Sequence, residues 1–188
     1  MGRASATGLG ADVHRRVALT LLAAVLPVLA ACTAAADGHP IAGSNSSPAS
    51  VKLFDPCTAI PDEVLHAVSV DPATKESGIA GVHQSGWEVC NWNGKDYFIT
   101  ILSTGQSIPE VEKRRIYTDF RDVTIAGRGG KQFRVDDGVT DLACDIAFSV
   151  PSGVVMVDLR NRVLRENPTD PCMLVRRVSE FIVPVLPK

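Results

Sequence analysis

Residues 142–150 read Leu-Ala-Cys-Asp-Ile-Ala-Phe-Ser-Val, and this stretch decides the fold of the chain. Successive side chains of a β-strand point to opposite faces of the sheet. The alternation places four residues on one face: Cys144, Ile146, Phe148 and Val150. The other face receives Asp145, Ala147 and Ser149. The stretch therefore predicts an antiparallel strand whose buried face carries a cysteine.

The residues that follow predict the partners of this strand. Pro151-Ser152-Gly153 is typical of a turn, and the β-branched run 154–159 predicts the returning strand. Asp170-Pro171-Cys172 predicts the start of a helix, because Asp is a good N-cap and Pro suits the first helical position. Apolar residues then recur at helical spacing: Leu174, Val175, Val178, Phe181, Ile182 and Val185. We expect this helix to pack on the face that carries Cys144.

The first half of the chain contains the same parts in the opposite order. Asp55-Pro56-Cys57 predicts a helix start, and Pro61 precedes a second short helix over residues 62–68. Residues 71–86 are expected to form a loop. Residues 87–92 and 97–103 then predict two strands joined at Asn93-Gly94, a strong hairpin signal.

The middle of the chain predicts one surface helix and two short strands. Ser107 and Glu110 have capping-box spacing, which predicts a helix over residues 108–118. Residues 123–126 and 131–135 predict the strands. The expected fold class is α+β, with a single antiparallel sheet of about six strands. We expect N-terminal and C-terminal helices on one face and two disulfides.

The N-terminus is typical of an exported lipoprotein. Arg15 and Arg16 precede an apolar run over residues 17–30, which at about 21 Å is too short to span a membrane. Leu29-Ala30-Ala31-Cys32 resembles the bacterial lipobox. That resemblance implies thioether lipidation of Cys32, cleavage before it and acylation of the new amino terminus. We therefore expect a signal peptide at 1–31, a lipidated cysteine and flexible tether at 32–50, and a globular domain at 51–188.

Assigning Cys32 to a lipid leaves four of the five cysteines: Cys57, Cys90, Cys144 and Cys172. An even set in an oxidising compartment predicts disulfides, and the spacing is too wide for Cys-x-x-Cys metal pairs. Four cysteines allow three pairings. The simplest joins each helix start to its neighbouring strand, as Cys57–Cys90 and Cys144–Cys172.

Several motifs of the chain resemble one bacterial family. They are the lipobox, Phe54-Asp55-Pro56-Cys57, Cys90-Asn91-Trp92, Cys144-Asp145-Ile146-Ala147-Phe148, Asp170-Pro171-Cys172 and Val185-Leu186-Pro187. Together they resemble actinobacterial lipoproteins catalogued as a domain of unknown function, which include mycobacterial Lpr-type lipoproteins. The resemblance implies an α+β envelope lipoprotein, anchored by lipid at the extracytoplasmic face of the cell membrane. It carries over no catalytic residue.

The composition and motifs argue against several functional classes. A formal net charge of −2 is unlike a nucleic-acid-binding profile. His66 and His83 are the only histidines of the expected domain, and the sequence shows no nucleophile motif and no metal-ligand histidine pair. We therefore expect no catalytic residue, no metal site, no cofactor and no enzymatic activity.

A non-catalytic binding or partner-interaction module is the favoured interpretation. A small-molecule or lipid carrier is the alternative, and an envelope hydrolase ranks below both. Trp87 and Trp92 would point to opposite faces of one strand, so either could contact a ligand or partner, unless both pack internally. The expected partners are the membrane, through the lipid on Cys32, and an envelope protein or small apolar ligand.

Overall fold

The computed structural model describes residues 52–136, 138, 140–163 and 168–188. The predicted signal peptide, Cys32 and the tether lie outside these residues. The described residues form one antiparallel sheet of seven strands and four α-helices. No helix among them is long and apolar enough to cross a membrane.

The helices are α1 (Pro56–Ala59), α2 (Asp62–Ala67), α3 (Ile108–Glu112) and α4 (Pro171–Ile182). The strands are β1 (Val70–Ser77), β2 (Trp87–Gly94), β3 (Tyr97–Thr104), β4 (Tyr117–Ile125), β5 (Arg128–Val135), β6 (Ala143–Val150) and β7 (Gly153–Asn161). Their order in the sheet is β1-β2-β3-β7-β6-β5-β4. Two meanders, one from each half of the chain, therefore join along β3 and β7.

The seventh strand is β1, which corrects the expectation of a loop over residues 71–86. Among the described strands, β1 pairs only with β2 and so forms an edge of the sheet. Pro72 is compatible with an edge strand, where one side of the backbone needs no ladder partner. The register of β1 shifts between Asp71 and Glu76, so the strand is irregular.

The predicted helix over residues 108–118 is also too long, because α3 ends at Glu112 and β4 begins at Tyr117. The ring centroid of Phe133 lies 4.7 Å from that of Tyr117 and 5.3 Å from that of Phe120. A bulge at Asp119, whose φ is +55°, keeps both aromatic residues on the same face. Aromatic packing and strand pairing therefore override the helical signal.

The β2–β3 hairpin turns later than predicted. Asn93 pairs with Phe98, so the two-residue turn falls on Lys95 and Asp96. Gly94 lies inside β2, and a Cβ at this position would be 2.7 Å from the Ser69 carbonyl oxygen. The glycine is needed for close backbone packing rather than for the turn itself.

The two Asp-Pro-Cys segments begin helices as predicted and adopt the same geometry. Asp55 and Asp170 each accept a hydrogen bond at 3.0 Å from the backbone N–H of the cysteine two residues later. The structure joins Cys57 to Cys90 and Cys144 to Cys172, with Cα–Cα distances of 5.2 and 5.0 Å. These are the pairs chosen from the sequence.

The helices α1, α2 and α4 pack on one side of the sheet, which we call the covered face. Its side chains form the larger hydrophobic cluster, including Cys90, Ile99, Ile101, Cys144, Ile146, Phe148, Val155, Val157 and Leu159, all fully buried. The predicted alternation of β6 is confirmed, because Cys144, Ile146 and Phe148 all belong to this cluster. The opposite side of the sheet is called the open face.

Candidate functional site on the open face of the sheet

The open face carries a smaller apolar cluster at one end, and α3 covers it. Val111 of α3 is buried there against Phe133, Ala147, Val154 and Met156. The backbone N–H of Ser107 donates to the Glu110 carboxylate at 2.7 Å, which fixes the start of the helix and lowers the pKa of Glu110. Because α3 has only five residues, no helix of the described part of the chain lies above the rest of the open face.

A row of polar side chains crosses the uncovered part of this face. Asn91 on β2 pairs with Thr100 on β3, and Thr100 pairs with Asp158 on β7. Asp158 in turn pairs with Asp145 on β6. Asp145 is only 4% exposed, and Asp158 is half-buried. Two carboxylates therefore lie directly opposite each other on neighbouring strands.

This row forms the floor of a groove with a volume of about 370 Å³. The lining residues are Ile79, Asn91, Thr100, Leu102, Ile116, Tyr117, Val135, Asp145, Met156, Asp158 and Arg160. Ile79 and Ile116 are 57% and 50% exposed although both are aliphatic. An adjoining groove of about 300 Å³ shares Ile79 and Arg160 and continues to Glu76 and Phe98. The open face thus combines a charged floor with apolar walls.

Asn91 connects the floor to the loop that carries Ile79. Its amide nitrogen donates to the carbonyl oxygens of Gly78 at 2.6 Å and Glu76 at 3.2 Å. Its amide oxygen accepts from the Thr100 hydroxyl at 2.8 Å. The bonds to Gly78 and Glu76 hold the start of the loop beside the groove, and the bond from Thr100 fixes the Asn91 side chain, so Asn91 acts as a positioning residue.

The pKa of Tyr117 depends on the charged groups around the groove. Burial raises the pKa of its hydroxyl, and the nearby carboxylates Asp145 and Asp158 raise it further. Arg114 acts in the opposite direction and lowers the pKa of Tyr117. The Arg114 guanidinium also lies 5.0 Å from the centroid of the Trp87 ring and donates to Gln106 at 2.8 Å. This arginine therefore links Tyr117 to Trp87 beside α3.

The family model for a protein of unknown function (DUF3558) matches residues 27–185 of the chain. The chain belongs to this family. Curated proteins and solved structures yield no match. Membership of the DUF3558 family therefore supplies no catalytic or binding residue for comparison.

The two tryptophans of this DUF3558 protein lie on opposite sides of the sheet. Trp92 is 1% exposed and belongs to the core of the covered face. Trp92 is nevertheless also among the residues that line the adjoining groove of about 300 Å³, so its part in a binding surface stays a prediction. Trp87 is half-buried beside the apolar cluster of the open face. It does not line the groove above the polar row.

His66 and His83 are both exposed on the surface. Within the described part of the chain, no group of three or more histidine, cysteine or acidic side chains could hold a metal ion. Sequence reasoning missed the pairing of Asp145 with Asp158. The sequence does contain a signal for this pair. Val150 and Gly153 pair across the turn, and Asp145 and Asp158 each lie five residues away from that pair, so the two aspartates face each other in an antiparallel hairpin.

Proposed function

We propose that this protein is a lipid-anchored binding module of the cell envelope and that its groove binds a small amphipathic molecule. The groove above the polar row is the observation that carries the proposal. Ligand sites in proteins are concave, mostly apolar and of about 300–1,000 Å³, with a few polar groups that orient the ligand. The groove has that size and composition. The groove therefore favours a small-molecule ligand over a protein partner, for which we would expect a flat surface without a groove.

The anchor belongs to the same proposal. Leu29-Ala30-Ala31-Cys32 supplies the sequence support, and the family match begins at residue 27 and so includes these residues. A lipid on Cys32 would hold the domain at the extracytoplasmic face of the membrane, as in the actinobacterial Lpr-type lipoproteins that the chain resembles. More than one acyl chain is needed for stable anchoring.

Substitution of Cys32 tests the anchor. Cys32→Ala should release the chain from the membrane or leave it unprocessed, because no thiol would be present to carry the lipid. Membrane fractionation with mass spectrometry of the N-terminal peptide measures both outcomes. A mature, acylated and membrane-bound Cys32→Ala chain would contradict the assignment.

A photo-crosslinking amino acid at position 116 tests the groove. The full chain in its native envelope should yield a small-molecule adduct when the crosslinker replaces Ile116. The control places the same crosslinker at Glu63, which is exposed on α2 beside the covered face. Mass spectrometry of the irradiated protein detects the adduct. Capture of protein alone at position 116, or equal adducts at both positions, would refute binding of a small molecule in the groove.

An envelope hydrolase is a second candidate, favoured by one observation. Asp145 and Asp158 face each other across neighbouring strands in an open groove, and paired carboxylates perform glycoside hydrolysis in many enzymes. Incubation of the full chain with purified cell-wall glycan tests it. Release of new reducing ends, abolished in Asp158→Asn, would establish the hydrolase, whereas binding without release supports the non-catalytic module.

A further inference from the structure

We propose that the apolar turn Ile79-Ala80-Gly81-Val82 inserts into the boundary between headgroups and acyl chains of the bilayer that holds the lipid anchor. This inference rests on the proposed function, because the lipid on Cys32 is what brings the domain to that bilayer. Three observations carry it: the exposure of the turn, its fixed shape, and its position beside the point where the chain enters the domain.

The turn exposes two aliphatic side chains on a tip that carries no polar side chain. Ile79 is 57% exposed and Val82 is 63% exposed, and Ala80 and Gly81 between them are exposed as well. Among the large apolar side chains that the described residues expose, Ile79 and Val82 are the nearest together in the sequence. Transfer of both into lipid would remove their apolar surface from water.

Backbone hydrogen bonds fix the shape of the turn. The N–H of Ile79 donates to the carbonyl oxygen of Val82 at 2.9 Å, and the N–H of Val82 donates to that of Ile79 at 3.0 Å. Ala80 and Gly81 have φ of +50° and +74°, as in the tightest hairpin turns. Asn, Asp or Gly is usual at both central positions of such a turn, whereas Ala80 keeps its tip apolar. The turn therefore presents this tip before it meets a bilayer.

The base of the turn lies beside the entry of the chain into the domain. The N–H of Gly78 donates to the carbonyl oxygen of Val89 on β2 at 2.9 Å. The Sγ of Cys57 lies 3.8 Å from the same carbonyl oxygen, and its disulfide joins it to Cys90. Lys52, the first described residue, precedes Cys57 by a few positions. The end of the tether and the base of the turn are therefore held at one place on β2.

The predicted tether is short compared with the domain. A flexible coil of the eighteen residues 33–50 spans about 23 Å on average. A domain of this size is roughly 35 Å across. A lipid on Cys32 would therefore hold the side of the domain near Cys57 and Gly78 towards the bilayer, which is the side that carries the turn.

The outer surface of α4 is a less suitable contact. It exposes Met173 and Phe181, at 59% and 44%. These side chains are eight residues apart, which is about 12 Å along the helix. Arg177 and Glu180 are exposed between them, so a bilayer contact there would also have to accommodate two charged groups.

The charged residues beside the turn limit its depth in the bilayer. Lys75 and Glu76 are exposed near the end of β1, and a Cβ at Gly81 would lie 3.6 Å from the Glu76 carboxylate. Charged side chains remain at the polar boundary of a membrane, so the insertion is shallow. One cation and one anion give no preference for charged headgroups, and the inference therefore concerns the bilayer as such.

Insertion of the turn would also bring the groove to the bilayer. Ile79 lines both the groove above the polar row and the adjoining groove. Small amphipathic molecules concentrate at the boundary between headgroups and acyl chains. The proposed ligand would therefore be most abundant where the groove opens.

Fluorescence quenching by a nitroxide-labelled lipid tests the inference. The full, lipid-modified chain is reconstituted in phosphatidylcholine vesicles, with or without phosphatidylcholine that carries a nitroxide near the top of one acyl chain. An environment-sensitive fluorescent amino acid replaces Val82 or, as the control, Met173, which is similarly exposed but lies on α4. We expect about threefold or more quenching at position 82 relative to position 173. Ile79→Gln should reduce the quenching at position 82 by about half, and Phe181→Gln should leave it unchanged.

The outcomes separate the turn from the anchor. Mass spectrometry of the N-terminal peptide and flotation of the vesicles measure the anchor independently. If the chain floats but position 82 is quenched no more than position 173, the anchor stands and the inference is wrong. A blue shift at position 82 without quenching would mean that a second copy of the chain covers the turn, which also overturns the inference. If the chain carries no lipid and does not float, both the anchor and the inference are wrong.

Discussion

The covered and open faces of the sheet are built from the same described strands, yet they differ in chemistry. On β7, Val157 is fully buried under the helices, whereas its neighbour Asp158 is half-buried beside the groove. On β6, Ile146 and Asp145 show the same division. Both disulfides join a helix start to the covered face. The comparison indicates that the covered face provides most of the buried core, and it leaves the open face for the ligand binding that we propose.

Among the changes considered, removal of a disulfide should destabilise the covered face most. We expect Cys144→Ala/Cys172→Ala to lower the free energy of unfolding by about 3.5–4 kcal/mol, because the unfolded chain regains the entropy of a closed loop. The sequence separations of 28 and 33 residues are similar, so Cys57→Ala/Cys90→Ala should cost about as much. Urea unfolding followed by tryptophan fluorescence measures both. An unchanged midpoint in either variant would contradict a stabilising role for that disulfide.

The same isoleucine substitution on the two faces should give unequal effects. Ile146 is fully buried on the covered face, so Ile146→Ala should destabilise the protein by about 3 kcal/mol through lost burial and a residual cavity. Ile116 is 50% exposed at the groove, and Ile116→Ala should change stability by less than about 0.5 kcal/mol. Urea unfolding compares the pair directly. Equal losses would mean that the open face is also a structural core.

The elements of the covered face could be predicted better than those of the open face, because local sequence patterns indicate them. The alternation around Cys144 and Ile146 predicts a buried strand, and the two Asp-Pro-Cys segments predict helix starts and the cysteine pairs. Each of these signals needs only a few neighbouring residues. Helix packing then follows, since the only wide apolar stripe of the last helix must be buried.

The open face depends on pairing between segments that are distant in the sequence. The periodicity of apolar residues within one segment does not reveal such pairing. The contact of Asn91 with Gly78 requires β1 to be a strand, and residues 71–86 read as a loop because of Pro72 and the polar composition. The bulge at Asp119 keeps Phe120 on the same face as Tyr117, but no local pattern signals it. The groove results from this register and therefore appeared only in the structure.

Asn91 should affect the open face locally. Asn91→Ala removes the donors to the Gly78 and Glu76 carbonyl oxygens, and we expect a loss of about 1 kcal/mol of stability. Amide exchange of the loop that follows Gly78 should become faster, and hydrogen–deuterium exchange measures it residue by residue. Asn93→Ala is the matched control, since Asn93 lies on the same strand and is exposed. Equal acceleration in both variants would argue against a positioning role for Asn91.

The smallest expected effects concern the two tyrosines of the chain, one on each face. Tyr97 packs against the core of the covered face, and Tyr117 lies at the groove. Burial raises the pKa of both hydroxyls, and a different arginine lowers each: Arg177 for Tyr97 and Arg114 for Tyr117. Arg114→Gln should therefore raise the pKa of Tyr117 further and leave Tyr97 unchanged. Arg177→Gln should do the reverse.

The sign of the associated stability change follows from these shifts. A tyrosine with a raised folded pKa keeps its proton at a pH where the unfolded chain has begun to lose it. The contribution to stability is therefore complete below the ordinary tyrosine pKa of about 10 and decreases as the pH rises through the folded pKa. A pH titration of the ¹³C-labelled tyrosine rings resolves the two residues in each variant. A shift of Tyr97 in Arg114→Gln would show that the two faces are electrostatically coupled through the sheet, against the separation argued from their packing.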